Sequence, residues 1–249
     1  MTDGPLTLAI DVGGSGLKAT VLAPDGEMLS ERVRRDTPYP CTPPVLLDEL
    51  DALAKTQPDY DRVSVGFPGA IRRGIVRDVT AFVRPAPGEP KDPKLIKQWI
   101  GYDLQSALAQ RFGKPVRVAN DADVQGLGCV SGKGDELVIT LGTGFGSVLF
   151  VDGHRIHLEL GHHPFRKGKT YEEELGIKAL KKKGQRKWNK TLREAIDELA
   201  RAFNFDRLYI GGGNAAQIEF KLPPNVEVVS NTDGLLGGIK LWQNQKSPK

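Results

Sequence analysis

Runs of apolar residues, separated by glycines and charged residues, predict short strands alternating with helices along the chain. Two such runs, residues 6–12 and 17–22, predict buried strands joined by a glycine-rich turn. By the same reasoning we predict further strands at residues 27–34, 62–65, 116–119, 137–141, 147–151, 208–210 and 226–229. Apolar residues at helical spacing predict helices at residues 45–55, 103–112, 121–130, 171–183, 189–203 and 235–242. This alternation indicates an α/β fold.

The order strand, glycine turn, strand occurs twice, at residues 10–22 and again at residues 138–151. This repetition predicts two related lobes. We place an N-terminal α/β lobe at residues 1–118 and a C-terminal α/β lobe at residues 119–233. The closing helix, residues 234–243, is expected to pack back on the first lobe. Between the elements, residues 70–77 predict a small hairpin, and residues 85–93, which hold four prolines, predict a loop.

Composition places the chain among ordinary globular proteins, with 39% hydrophobic and 27% charged residues in 249. No apolar run approaches the roughly 18 residues that a membrane span needs, and the short acidic N-terminus does not resemble a signal peptide. The two cysteines, Cys41 and Cys129, form no CxxC pair, which argues against a disulfide framework or a structural zinc site. We therefore expect a cytoplasmic protein with no membrane partner.

Positive charge is concentrated in one segment of a mildly basic chain. The net charge is +4, whereas residues 166–190 hold ten Lys and Arg against three Glu. Such a segment suggests a local anionic partner, although a solvated helical face explains it equally well at this stage. The chain lacks a recognition-helix module and an RNA-binding aromatic pattern, so no nucleic-acid partner is expected.

The glycines of the first turn, Gly13, Gly14 and Gly16, raise three hypotheses. A Walker loop needs GxxxxGK[ST], which is absent. Residues 14–19 satisfy GxGxxG/A, but that fingerprint must open a helix and the following residues predict a strand. The third is a hairpin whose backbone N–H groups face an anion, with a similar turn at residues 142–146. The plain alternative is that both are only tight turns.

Side chains in these turns favour the anion hypothesis. Ser15 and Thr143 supply hydroxyls, and Lys18 could neutralise a phosphate oxygen, although a simply exposed lysine also fits. Asp11 ends a buried strand, where a carboxylate needs a cation, and Mg²⁺ on a phosphate chain would supply one. The residue types alone leave Asn120-Asp121 open as a plain helix cap.

Taken in order, five motifs resemble those of the ROK sugar kinases of the hexokinase–actin superfamily. Residues 11–18 resemble the first phosphate motif, 120–123 the catalytic motif and 141–146 the second phosphate motif. Residues 159–162 resemble the sugar-binding motif and 211–214 the glycines near the nucleoside. The resemblance implies a two-lobed actin/hexokinase-like (ribonuclease H-like) fold with a cleft between the lobes, and a homodimer.

The resemblance also implies roles for individual residues. Asp121 would be the general base, and Asp11 would hold Mg²⁺, through water. Implied sugar-binding residues are Gly66, Pro68, Gly69, Asn120, Asp121, Glu159 and His162. Implied donor-binding residues are Asp11, Gly13, Gly14, Ser15, Gly16, Lys18, Gly142, Thr143, Gly144, Gly146, Gly211, Gly212, Gly213 and Asn214. The implied reaction is phosphorylation of a hexose.

Two departures from the family pattern narrow this expectation. The zinc motif CxCGxxGC is absent, and His163-Pro164-Phe165 stands in its place, so no zinc is expected. No helix-turn-helix precedes the first strand, which argues against the repressor branch. The chain looks most like the polyphosphate glucokinase branch. This predicts glucose as acceptor at its 6-hydroxyl and polyphosphate as donor, with ATP as an alternative donor. It also predicts a polyphosphate track formed by Lys181, Lys182, Lys183, Arg186 and Lys187.

Three alternatives stay open on the sequence. The chain could be an ATP-dependent kinase for fructose, mannose or an N-acetylhexosamine. It could also be a non-catalytic sugar-binding regulator. A metal site made by the four histidines, which all lie within residues 154–163, is the third.

Overall fold

The computed structural model describes residues 4–79, 81–230 and 233–243, with the side chains of 233–235 left out. It divides into two units, one made of the chain up to Val124 together with the chain from Gly238 onward, and the other made of Gln125–Gly237. No helix in these ranges is both long and apolar enough to span a membrane.

The first unit is built on a five-stranded sheet. Its strands are β1 (Thr7–Val12), β2 (Leu17–Leu22), β3 (Val33–Arg35), β4 (Arg62–Phe67) and β7 (Val116–Asn120), and a small hairpin is formed by β5 (Ile71–Arg72) and β6 (Ile75–Val76). The sheet order is β3-β2-β1-β4-β7. β2 runs antiparallel to its neighbours β1 and β3, while β1, β4 and β7 are parallel.

From the N-terminal part of the chain, four helices belong wholly or partly to this unit: α1 (Pro43–Ala54), α2 (Pro93–Trp99), α3 (Leu104–Phe112) and α4 (Asp121–Cys129). The apolar face of α1, with Leu46, Leu50 and Leu53 fully buried, packs into the same core as the strands. Asp103 caps α3 by accepting from the Ser106 N–H at 3.0 Å, as its position before an apolar run predicts.

The second unit repeats this plan. Its strands are β8 (Asp135–Leu141), β9 (Phe145–Val151), β10 (His154–Leu158), the short pair β11 (Pro164–Arg166) and β12 (Lys169–Thr170), β13 (Arg207–Gly211) and β14 (Val226–Val228). The large sheet has the order β10-β9-β8-β13-β14. Both large sheets therefore begin with an antiparallel meander and add two parallel strands, which is the relation that the repeated sequence pattern predicts.

Helices α5 (Tyr171–Leu175), α6 (Ile177–Lys183) and α7 (Gln185–Phe203) follow β12, and α8 (Asp233–Gln243) ends the described chain. α7 buries Trp188, Leu192 and Leu199 against the second core. From Gly238 onward α8 packs on the first unit, where the Trp242 indole N–H donates to Ser64 Oγ at 2.7 Å.

Some local predictions were wrong. Of the predicted strand at residues 27–34, only its end forms part of β3. The predicted helix at residues 171–183 is two helices, because Gly176 adopts an extended conformation with ψ 168°. Residues 85–93 do form a loop up to Asp92, but Pro93 is the first residue of α2, a position where proline loses no hydrogen bond.

Candidate active site

The carboxyl ends of three parallel strands bring several predicted site residues to one edge of the first sheet. Asp11 of β1 lies in register with Gly66 of β4, and Gly66 with Ala119 of β7. Gly66 lies beside the start of α4, since an added Cβ would be in ordinary van der Waals contact with the Asp121 Cα at 3.6 Å. The loop after β4 contains Pro68, half-buried, and Gly69.

Asn120 connects this loop to the start of α4. Its Nδ2 donates to the Gly69 carbonyl at 3.0 Å, while its Oδ1 accepts from the Ala122 N–H at 2.8 Å. Asn120 is therefore a helix cap and a brace for the loop at the same time. Asp121 follows as the first residue of α4 and is exposed, with Oδ1 2.9 Å from the same N–H.

Asp11 lies between two cations. Its Oδ2 is 3.2 Å from Lys18 Nζ and 3.2 Å from Arg32 Nη2, and its side chain is 40% exposed. Lys18 is the direct partner of Asp11 across β1 and β2, so this pair follows from the hairpin register. The sequence reasoning missed this contact because it predicted a regular strand at residues 27–34, whereas Arg32 lies in the irregular segment before β3.

A single accessible carboxylate suits Mg²⁺, which keeps several waters and is usually held by one or two carboxylates and the phosphates of a substrate. Across the described ranges, no group of three or more His, Cys, Asp and Glu is placed to hold a metal. A Mg²⁺ ion at Asp11 would therefore need further oxygen ligands from a phosphorylated ligand, and it would share the carboxylate with Lys18 and Arg32. Because no such group is found among the described residues, the alternative of a metal site formed by the four histidines of residues 154–163 has no support.

The first glycine turn, residues 13–16, is held through its carbonyl groups. Gly13 N donates to Gly16 O at 3.0 Å and closes the turn. Three side chains then donate to successive carbonyls, namely Thr37 to Gly13 at 2.6 Å, Tyr39 to Gly14 at 2.6 Å and Arg34 to Ser15 at 2.8 Å. In the part of the chain that the structure describes, the N–H groups of Gly14, Ser15 and Gly16 have no hydrogen-bond acceptor.

The second glycine turn is joined to the predicted nucleoside motif. The Gly142 carbonyl accepts from Asn214 Nδ2 at 2.8 Å and from the Ile177 N–H at 2.9 Å. Gly212, with φ +87°, lets the Gly211–Gly213 triplet pass so close to β8 that an added Cβ would lie 2.7 Å from the Leu141 backbone nitrogen. The second unit thus brings these two motifs together.

Other residues of this turn differ in exposure. Thr143 at its tip is exposed, whereas Gly146 is half-buried in β9, paired with Thr140 of β8. A carboxylate that the sequence reasoning missed lies against the turn: an added Cβ on Gly144 would be 2.5 Å from Glu172 Oε2. The capping box that begins α5 places acidic residues in its first turn, but only the fold shows that one of them faces a glycine turn.

The predicted sugar motif forms a short 3₁₀ turn, Leu160–His162, beside β9. Gly161 is buried, and an added Cβ there would lie 2.5 Å from the Phe145 carbonyl oxygen. The Leu160 N–H donates to Ser147 Oγ at 3.1 Å. These contacts fix the turn while Glu159 and His162 remain exposed at either end of it.

The basic segment divides into a paired and an exposed part. Glu174 is only 4% exposed, and its carboxylate lies 2.6 Å from Lys183, 3.6 Å from Lys169 and 3.7 Å from Arg166. Burial raises the pKa of Glu174, but the ion pair with Lys183 and the two other cations outweigh burial, so its pKa lies below the ordinary value. Lys183 is therefore occupied in an ion pair within the second unit.

The remaining cations of the predicted track lie at the corner between α6 and α7. Lys181, Lys182, Arg186 and Lys187 are all exposed there. The start of α7 is fixed by Gln185 Nε2 and Asn189 Nδ2, which donate to the Gln217 carbonyl at 3.1 and 2.8 Å. Gln217 ends the short turn Gly213–Gln217 after the glycine triplet, so this basic corner is tied to the predicted nucleoside motif.

Known proteins resemble the chain over most of its length. The model of the ROK family matches residues 7–176. The polyphosphate glucokinases of Mycobacterium tuberculosis and Mycobacterium leprae are 28% and 26% identical to it, and both alignments cover 92% of this chain, with 88% and 72% of the relative. The crystal structure of inorganic polyphosphate/ATP-glucomannokinase from Arthrobacter sp. strain KM is 28% identical, with a TM-score of 0.81 over 98% of this chain and 100% of that chain.

These similarities confirm the predicted α/β fold of the actin/hexokinase type. They also confirm the predicted enzyme class, a phosphotransferase with an alcohol acceptor. The family match includes four of the five motifs, from the first glycine turn to the turn at residues 159–162. Since the family model matches more than half of the 249 residues, the chain belongs to the ROK family.

Proposed function

We propose that the protein phosphorylates glucose at the 6-hydroxyl, with inorganic polyphosphate as phosphoryl donor and ATP as a second donor. The similarity to two polyphosphate glucokinases over 92% of the chain carries this proposal. Phosphoryl transfer depends mainly on alignment of the reactants and neutralisation of charge, and the two units offer groups for both tasks.

In the proposed reaction, Asp121 accepts the proton of the attacking hydroxyl. Its exposed position at the start of α4, beside the braced Asn120, supports this role. Asn120 and the loop with Gly66, Pro68 and Gly69 would orient the sugar, as would Glu159 and His162. Fixed polar groups of this kind discriminate among hexoses, because a misplaced hydroxyl leaves a partner unpaired.

The glycine turns would bind the donor through backbone N–H groups, which are donors without a counter-charge. Asp11 would hold Mg²⁺, which neutralises phosphoryl oxygens when bound. For polyphosphate we propose a track along Lys181, Lys182, Arg186 and Lys187. We leave Lys183 out of this track, in contrast to the sequence prediction, because its ammonium group is paired with the buried Glu174. We also expect a homodimer, which light scattering of the purified protein would test.

The proposal is tested by an assay of sugar phosphorylation with ATP and with long polyphosphate as alternative donors. Glucose, mannose, fructose and N-acetylmannosamine serve as acceptors. Mannose is the second candidate acceptor, because the similar Arthrobacter structure is that of a glucomannokinase. We expect glucose to give the highest kcat/KM and polyphosphate to be used at least as well as ATP. Activity with ATP but not with polyphosphate, or with another hexose but not with glucose, would instead indicate an ATP-dependent kinase for that hexose.

Asp121→Asn tests the proton acceptor. We expect kcat to fall at least a hundredfold, within the range typical for loss of a general base, while the glucose KM changes little. Asp197→Asn, which removes an exposed carboxylate from α7, is the matched control and should leave kcat unchanged. Near-normal turnover of Asp121→Asn would rule out this role. Sugar binding without turnover in the unmodified protein would indicate the non-catalytic regulator.

A further inference from the structure

We infer that Arg34, Thr37 and Tyr39 are positioning residues that aim the backbone N–H groups of the first glycine turn at the phosphoryl oxygens of the donor. This inference rests on the proposed function and assigns a task to a segment outside the five motifs. The three side chains make no contact with substrate in this scheme. They act through the peptide groups that they hold.

The argument begins with the geometry of a trans peptide, in which the C=O and N–H of one unit point in opposite directions. The peptide units from Gly13 to Gly16 are trans. The carbonyl of each of the first three residues of the turn accepts one side-chain hydrogen bond. Each of those carbonyls shares a peptide unit with the N–H of the next residue. The N–H groups of residues 14, 15 and 16 therefore point away from the segment 34–39.

These three N–H groups are prepared to bind an anion. Backbone N–H groups are obligatory hydrogen-bond donors, and in a partly exposed turn such as this one they bind either water or a ligand. None of the three finds an acceptor among the residues that the structure describes. Successive N–H groups on one side of a turn form a concave site for phosphate-like anions. Lys18, two residues after Gly16 on β2, adds positive charge near the turn, although its ammonium group is also paired with Asp11.

The supporting contacts are internal to the fold. Thr37 is only 8% exposed, so its hydroxyl has few alternative partners. Burial raises the pKa of the Tyr39 phenol, which therefore remains protonated and able to donate at neutral and mildly alkaline pH. Arg34 lies across Gly16, where an added Cβ would be 2.7 Å from its Nε. The turn is thus held in one conformation from three directions.

The test compares Thr37→Val, Thr37→Ser and Tyr39→Phe. Valine keeps the shape of threonine without the hydroxyl, serine keeps the hydroxyl, and phenylalanine removes only the phenolic oxygen. We expect the donor KM to rise about fivefold for Thr37→Val and for Tyr39→Phe, which corresponds to the loss of one ordinary hydrogen bond. The glucose KM should stay within about twofold of the unmodified value, and Thr37→Ser should restore the donor KM.

Three results would overturn the inference. These are an unchanged donor KM in both Thr37→Val and Tyr39→Phe, an equal rise of the glucose KM, or a Thr37→Ser variant as impaired as Thr37→Val. Calorimetric binding of tripolyphosphate gives a readout that does not need turnover. Weaker binding by Thr37→Val than by Thr37→Ser supports the inference, and equal binding by all variants contradicts it. If the unmodified protein binds tripolyphosphate but transfers nothing to any sugar, the proposed function fails while the inference survives.

Discussion

Single charged residues near the glycine turns favour or oppose the anion binding that we propose there. In the first turn, Lys18 and Arg32 offset the charge of Asp11. In the second turn, the half-buried Glu172 carboxylate lies against Gly144, where a phosphoryl group is expected to approach. A negative charge at this place raises the energy of a bound phosphate, since like charges a few ångströms apart repel each other.

Glu172→Gln should therefore strengthen donor binding. We expect the KM for ATP and for polyphosphate to fall about threefold, the size of a partly screened charge interaction. Donor KM is measured at low ionic strength, where screening is weakest. Glu227→Gln, which removes an exposed carboxylate from β14, is the control and should change neither constant. A donor KM that rises in Glu172→Gln would show that this carboxylate supports donor binding, for example by holding the turn.

Some side-chain contacts of the candidate site can be predicted from the sequence and others cannot. The pairing of Asp11 with Lys18 follows from a hairpin register that the glycines predict. The contacts of Arg32, Arg34 and Glu172 do not, because they depend on how the segment before β3, β3 itself and α5 pack against the turns. Lys183 illustrates the same limit: a run of three lysines gives no sign that one of them pairs with a buried glutamate nine residues earlier.

At the scale of elements, strands with uniform apolar runs were predicted well and their boundaries shifted little. β2 has the bounds that the sequence predicts, and β1, β4 and β7 differ by one or two residues at their ends. Helix α2 was missed because its proline was counted as part of a loop. The break between α5 and α6 was missed because a central glycine is tolerated in a helical pattern. Its cause is tertiary, since an added Cβ on Gly176 would lie 2.9 Å from the Thr143 carbonyl oxygen.

The corner between α6 and α7 gives a prediction for the donor. Replacing both Arg186 and Lys187 with Gln removes two exposed cations from the first turn of α7. We expect the KM for long polyphosphate to rise about tenfold, while the KM for ATP changes less than twofold. Cationic side chains that bind a polyanion displace its counterions, so polyphosphate affinity falls as the salt concentration rises. In a plot of the logarithm of affinity against the logarithm of salt concentration, we expect the slope to become shallower by about one unit for each cation removed.

A double variant with Arg201→Gln and Arg207→Gln removes the same charge from exposed positions at the end of α7 and the start of β13. It serves as the control for long-range electrostatics. If both double variants raise the polyphosphate KM equally, the net charge of the protein matters rather than a track. If the Arg186 and Lys187 variant raises the ATP KM as strongly, the corner binds either donor and does not select polyphosphate.

At the scale of the whole chain, the same sheet occurs twice, and each copy carries a glycine turn between its first two strands, β1–β2 and β8–β9. The sequence predicts this repetition because the two turns and their flanking strands are its strongest local patterns. In the first unit, the ends of the parallel strands are used differently. The carboxyl ends hold Asp11, Gly66 and Asn120, whereas the last helix contacts the first halves of β4 and β7 through Arg62, Ser64 and Arg117.

The contact with the last helix is made by one indole. The Arg117 guanidinium lies 4.4 Å and the Arg62 guanidinium 5.0 Å from the centre of the Trp242 ring, near the first residues of β7 and β4. Arg117 Nη1 also donates to the Leu241 carbonyl at 2.6 Å. Cation–π contacts and the hydrogen bond to Ser64 together fasten the C-terminal helix to the sheet.

Trp242→Ala should therefore lower stability without a matching loss of catalysis. We expect the free energy of unfolding to fall by about 2 to 3 kcal/mol, since a half-buried tryptophan is worth somewhat less than a fully buried one. The kcat/KM at 25 °C should stay within about twofold, because the indole contacts the first halves of β4 and β7 and not the carboxyl ends that hold Asp11 and Asn120. Trp242→Phe keeps a ring between the two arginines and should lose less stability. Urea unfolding and the sugar phosphorylation assay on the same preparations provide both measurements. A tenfold loss of kcat/KM in a variant of unchanged stability would mean that the last helix influences the reacting groups. The assignment of a purely structural role to this helix would then be wrong.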